Sequence, residues 1–118
     1  MNASDIASKA AELVGGDRAK QHGDKSDNFG RIAILWDAWL SVRSSADDRI
    51  TAHDVGIMMA LLKIARTQSG SHNMDDYVDS AGYIACAGEI AEMDEQIEKS
   101  VWDLMADWER KNGSSLAD

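Results

Sequence analysis

The sequence predicts an all-α protein, a bundle of four to five helices whose central members run antiparallel. Three observations lead there. The 118 residues contain no proline. No stretch alternates apolar and polar residues with enough valine, isoleucine or threonine to make a strand. Apolar residues instead recur at helical spacing, most densely in residues 51–67, TAHDVGIMMALLKIART. There Val55, Ile57, Met58, Met59, Leu61, Leu62 and Ile64 fall on nearly every side of a helical wheel, so this helix is expected to be packed on several faces and to form the core. Its exceptions are Lys63 and Arg66, three residues apart at its C-terminal end. A lysine in so apolar a helix needs a partner.

Taken in order, residues 4–14 form a short amphipathic helix capped by Ser4, with Ile6, Ala10, Leu13 and Val14 inward and Gly15-Gly16 as its stop. The polar segment DRAKQHGDKSDN is a connector or a binding loop, interrupted by Gly23. Residues 27–42 carry Phe29, Ile32, Ala33, Trp36, Trp39 and Leu40 on one buried stripe. Thr51 with Asp54 three residues later reads as a capping box opening the central helix. After QSGSHN, with Gly70 as the stop, Asn73 or Ser71 caps a third helix over residues 74–90. Its Ala81, Gly82, Ala85 and Gly88 admit a close neighbour. Nothing breaks the helix from 91 to 111, where Ile90, Met93, Ile97, Val101, Leu104 and Trp108 make one stripe that closes the bundle or forms a subunit contact. The tail 113–118 should fray.

The length suits one domain over residues 1–118, able to bury roughly two-thirds of the surface its unfolded chain exposes. Cys86, the single cysteine, cannot pair internally. Set among small residues, it reads as a buried, inert thiol in a reducing cytosol. No apolar run is long enough for a membrane span and no export signal opens the chain, so a soluble cytoplasmic protein is expected. A net charge of −9 argues against direct binding to nucleic acid or to an anionic membrane.

Short connectors make sequence-neighbouring helices antiparallel. The start of the second helix, the end of the central one and the start of the third therefore meet at one end. That end gathers His22, Asp24, Asn28 and Arg31, then Lys63 and Arg66, then Asp75, Asp76 and Asp79. Asp76 and Asp79, one helical turn apart, are spaced to share a divalent cation, and Lys63 and Arg66 are placed for the phosphate oxygens such a cation bridges. The alternative at the same residues is plain neutralisation, acids in a first turn facing bases in a last turn. Asp79, past the first turn, fits that alternative least. His53-Asp54, with His22 before and Asp79 after, has the order of an HD phosphohydrolase. However, Asp54 lies roughly 14 Å along the helix from Lys63, which separates it from Asp79. The three histidines lack zinc-ligand spacing, and no phosphate-binding or nucleophile-elbow motif occurs.

HGDKSDNFGRIAILWDAWL, ITAHDVGIMMALLKIAR and DDYVDSAGYIACAGEI, in that order over about residues 20–90, resemble a family of small phage and prophage proteins described as MazG-like. The resemblance implies an all-α, MazG-like core over residues 17–90 and a homo-dimer or homo-tetramer. It further implies a magnesium-dependent nucleoside triphosphate pyrophosphohydrolase cutting between the α and β phosphates. Asp76-Tyr77-Val78-Asp79 stands where such enzymes carry ExxD, with Asp76 and Asp79 as metal ligands. The companion ExxE is missing: Asp37 is followed by Leu40 and Asp54 by Ile57. Lys63 and Arg66 would contact phosphate, His22, Asp24 and Asn28 would contact substrate from the loop, and Trp36 is a candidate for the base. The rival expectation is a non-catalytic acidic phage protein that inhibits a host partner or mimics nucleic acid, through the dense acids Glu92, Asp94, Glu95, Glu98, Asp103 and Asp107.

Overall fold

A computed structural model describes residues 1–16, 24–44 and 48–113. Four helices, α1 (Ala3–Gly15), α2 (Lys25–Val42), α3 (Ala52–Arg66) and α4 (Met74–Asn112), make up these residues, with no strand among them. Each helix opens on the same local chemistry, an N-cap side chain followed three residues later by an aspartate: Asn2 and Asp5, Asp24 and Asp27, Thr51 and Asp54, Asn73 and Asp76. An oxygen on the cap occupies one of the amide donors that a helix start leaves free. Asn2, not Ser4, caps α1. The turn after α3 and the end of α4 use Gly70 and Gly113, both at φ 67°, a region that costs glycine nothing.

α3 is the centre of the packing, as its apolar wheel predicts. It lies antiparallel between α2 and α4. Against α2 it receives the Trp36 indole on Met58 O (2.6 Å) and the Trp39 indole on Asp54 Oδ1 (3.0 Å). Against α4 the contact is closer, because the facing residues are small. Ala60, Ala65 and Ala87 are buried, and a Cβ placed on Gly56 would lie 2.9 Å from that of Ala87. Ser80 Oγ donates to Ala60 O (3.3 Å) and Lys63 Nζ meets Asp79 Oδ2 (3.0 Å). These three meetings fix the antiparallel register. At about 1.5 Å per residue they set Arg66 level with residue 76 and Ala52 level with about residue 90.

Four expectations need correction. The glycines of α4 are not where the helices approach: nothing lies within 4 Å of a Cβ at Gly82 or Gly88, and the close approach is at Gly56 instead. Cys86 is exposed, because the close-packed residue of that run is Ala87. α1 buries none of its residues, so Ile6, Leu13 and Val14 are exposed rather than inward. Residues 74–112 form one unbroken helix that carries on past the start of α3 instead of closing the bundle. The molecule measures 69 × 36 × 25 Å, and among the described residues no large side chain is fully buried.

Candidate functional site

The antiparallel order brings the starts of α2 and α4 to the end of α3, as the connector lengths require. Asn28, in the first turn of α2, is buried at 3 % exposure and its Oδ1 accepts from Ser69 Oγ (3.1 Å) in the turn that follows α3. Its Nδ2 makes no hydrogen bond among the described residues. Asp24, one turn earlier, is exposed and caps α2 by accepting from the Asp27 amide (3.1 Å). His22 lies outside the described residues.

Lys63 and Asp79 pair at 3.0 Å, with the lysine side chain largely buried and the aspartate's 44 % exposed. Neutralisation therefore accounts for this pair, including the aspartate that first-turn placement alone does not explain. It does not account for the other pair. Among the described residues Arg66 makes no ion pair, and its buried Nε has no hydrogen-bond partner. Asp76, level with it, is 5 % exposed. At the heads of α1 and α3 the aspartate three residues past the cap folds back onto the cap amide: Asp5 onto Asn2 at 2.9 Å and Asp54 onto Thr51 at 2.8 Å. Asp76 does not: Asn73 binds the Asp75 amide (3.0 Å), and no side-chain partner of the Asp76 carboxylate lies among the described residues. A half-buried guanidinium, its Nε sealed off without a partner, and a carboxylate of a largely buried aspartate thus stand at one level, neither paired with another side chain among the described residues. A buried donor such as that Nε is costly unless something satisfies it.

Trp36 is committed to Met58 O through its indole N–H, while its ring, with Phe29, Ile32, Ala33 and Leu62, lines an open apolar hollow of about 250 Å³. Among the described residues no three histidine, cysteine, aspartate or glutamate side chains converge as a metal site would need. Asp76 and Asp79 are two. A cation held there would take its remaining ligands from water and from phosphate oxygens, as magnesium commonly does.

The opposite end of α3 holds a polar cluster that sequence reasoning reached only in part. The Asp54 carboxylate closes the capping box with Thr51, accepts from Trp39 and pairs with the Arg43 guanidinium, which also donates to Arg49 O (3.0 Å). Thr51 and Asp54 are the part it reached; no local pattern marks Arg43, the C-cap residue of α2, as their partner. This cluster is accounted for by its own partners and joins α2 to α3.

Residues 5–91 match a family described as a domain of unknown function, DUF6378. The chain belongs to this family. The DUF6378 match takes in α1, α2, α3 and α4 as far as the level where α3 begins, and so includes the whole candidate site. The chain is 38 % identical over 108 residues to the Gene 55 protein of Mycobacterium phage L5 and 34 % identical over 102 residues to that of Mycobacterium phage D29. Each match covers 86 % of this chain and 64 % of the phage protein. The chain thus spans less than two-thirds of their length. No solved structure matches it. No helix among the described residues is long and apolar enough to cross a membrane.

Proposed function

We propose that this DUF6378 protein binds a phosphorylated nucleotide, with a nucleoside triphosphate as the reference ligand, at the end of the bundle where α2, α3 and α4 meet. The observation that carries the reading is a pair of side chains at one level without partners among the described residues: Arg66, whose buried Nε has no hydrogen-bond partner, and Asp76, 5 % exposed. A nucleotide phosphate with its magnesium ion supplies what each lacks, an anionic oxygen for the guanidinium and a cation for the carboxylate. Asn28 adds an amide donor. Asp79 becomes the second metal ligand once Lys63 moves from it to the phosphate. His22, Asp24 and the ring of Trp36 are contacts to the rest of the ligand. The resemblance to MazG-like proteins read from the sequence would extend this to pyrophosphohydrolysis in the cytoplasm of an infected bacterial cell, where a magnesium ion held by Asp76 and Asp79 would supply Lewis-acid chemistry.

The test is thermal melting of the wild type, Arg66→Ala and Asp76→Asn against a panel of nucleoside triphosphates, with Mg²⁺ and with EDTA. The wild type is expected to gain several degrees with one nucleotide and only with Mg²⁺; a ligand at one hundred times its Kd adds about 2.7 kcal/mol. Both variants should lose the response. Asp76→Asn should in addition melt no lower than wild type without ligand, because its carboxylate holds no side-chain partner among the described residues, whereas loss of a structural carboxylate would lower the melt. No shift in the wild type, together with a lower-melting Asp76→Asn, would overturn the reading. A second reading, a non-catalytic interaction protein, draws on the acid-rich, exposed distal half of α4. It expects partner binding to survive Arg66→Ala.

A further inference from the structure

α4 outruns the bundle. Its buried or half-buried face against α3 comprises Asp76, Ser80, Tyr83 and Ala87, and α3 begins level with about residue 90. Beyond that level an apolar stripe, turned by roughly 70° around the helix from that face, carries Ile90, Met93, Ile97, Val101, Leu104 and Trp108. The intervals of three, four, four, three and four residues form an eleven-residue repeat. At about 3.67 residues per turn, that repeat holds the stripe on one side of a nearly straight helix. From Met93 onward these side chains are 44–71 % exposed. Met93, Ile97, Val101 and Leu104, with Gln96 and Ser100, border an open groove of about 430 Å³.

We propose that a second copy of this chain covers the stripe, its α4 lying antiparallel so that Ile97 of each copy meets Trp108 of the other and Val101 meets Leu104. The intervals from 97 to 108 read the same in both directions, so one set of residues is self-complementary under the two-fold axis of such a dimer. The register also fits the rest of the molecule. It brings the partner's helix end, set by Gly113, level with about residue 93, just beyond the start of α3, so the two bundles stand at opposite ends without overlapping. It brings the basic end of one helix, Arg110 and Lys111, level with Glu95 and Asp94 of the other, where a parallel pair would set acid against acid. The chain exposes 8795 Å² against roughly 6300 Å² for a compact protein of its mass, an excess that the stripe shares with α1, none of whose residues is buried, and that exceeds the roughly 800 Å² per partner of a stable interface.

Sedimentation of the full chain, before and after the double substitution Ile97→Glu/Leu104→Glu, tests this. The wild type is expected to run at twice the chain mass and the variant at the chain mass. Both residues are exposed within one chain, so the variant should keep a cooperative helical melt. Orientation is read from spin labels on Glu98→Cys and Asn112→Cys in a Cys86→Ser background. Antiparallel pairing gives axial separations of roughly 14 and 28 Å, whereas a parallel pair gives none at either position. A wild type that stays monomeric at tens of micromolar, a dimer indifferent to the double substitution, or equal label distances would each overturn the proposal.

Discussion

At Asp54 a single carboxylate caps α3, receives the indole of Trp39 and pairs with Arg43. Its pKa is held below the usual 3.8 chiefly by the Thr51 backbone hydrogen bond, with the Thr51 hydroxyl, Trp39 and Arg43 adding to the effect and burial opposing it. A carboxyl depressed on folding contributes stability that is complete above its unfolded value and disappears as pH falls through its lower folded value. Urea midpoints of the wild type should therefore fall on acidification below about pH 4. Asp54→Asn should lose about 3 kcal/mol at pH 7, as expected when one member of a buried pair is removed, and should show a flatter acid limb than wild type. An unchanged limb would assign the acid sensitivity elsewhere. Thr51 and Asp54 are readable as a capping box because the motif is local. Arg43 is not readable, since its meeting with Asp54 depends on how the connector after α2 returns. Asp76 carries the same local motif with a different outcome: sequence marks it as a first-turn acid, and only the packing of α3 on α4 leaves it largely covered yet without a side-chain partner among the described residues.

Among the elements, α3 and α4 carry the closest packing, and Gly56 sets its tightness. Alanine there would put a Cβ 2.9 Å from that of Ala87 and 3.4 Å from Tyr83 O, and backbone on the far side cannot swing away as a long side chain can. Gly56→Ala is expected to lower stability by about 1–3 kcal/mol through overpacking. Gly82→Ala, which meets nothing within 4 Å, should raise it by about 0.8 kcal/mol through helix propensity alone. Denaturant midpoints of the two variants moving in opposite directions would locate the contact on α3. Movement in the same direction would return it to α4, where the sequence suggests it. Periodicity finds helices well, and the central helix, its caps and its neighbours' direction were all legible in it. It says which residues are small, but not which small residues face each other, because that depends on register. For the same reason the stripe of α2 is only half right. Ile32, Trp36 and Trp39 turn inward while Phe29 is 65 % exposed, and the buried Asn28 takes a place that apolar periodicity assigns to none of its polar residues.

Over the whole molecule, one helix belongs to two environments. The radius of gyration, 21.4 Å, exceeds the roughly 13–14 Å of a compact chain of this length, and α4 accounts for much of the difference by running on beyond α3. Helices are stabilised mainly by the face they bury. In a single chain the amides of residues 76–90 should thus exchange at rates set by unfolding of the bundle, and those of residues 95–112 much faster. Pairing with a second copy reverses that contrast, because the distal half then owes its protection to association and gains it by mass action. Hydrogen exchange of the full chain across a hundredfold range of concentration is expected to slow in residues 95–112 and stay constant in residues 76–90. Protection that is high and independent of concentration in both halves would mean that the distal half is held within its own chain. Uniformly fast exchange of the distal half at the highest concentration would mean that no second copy reaches it.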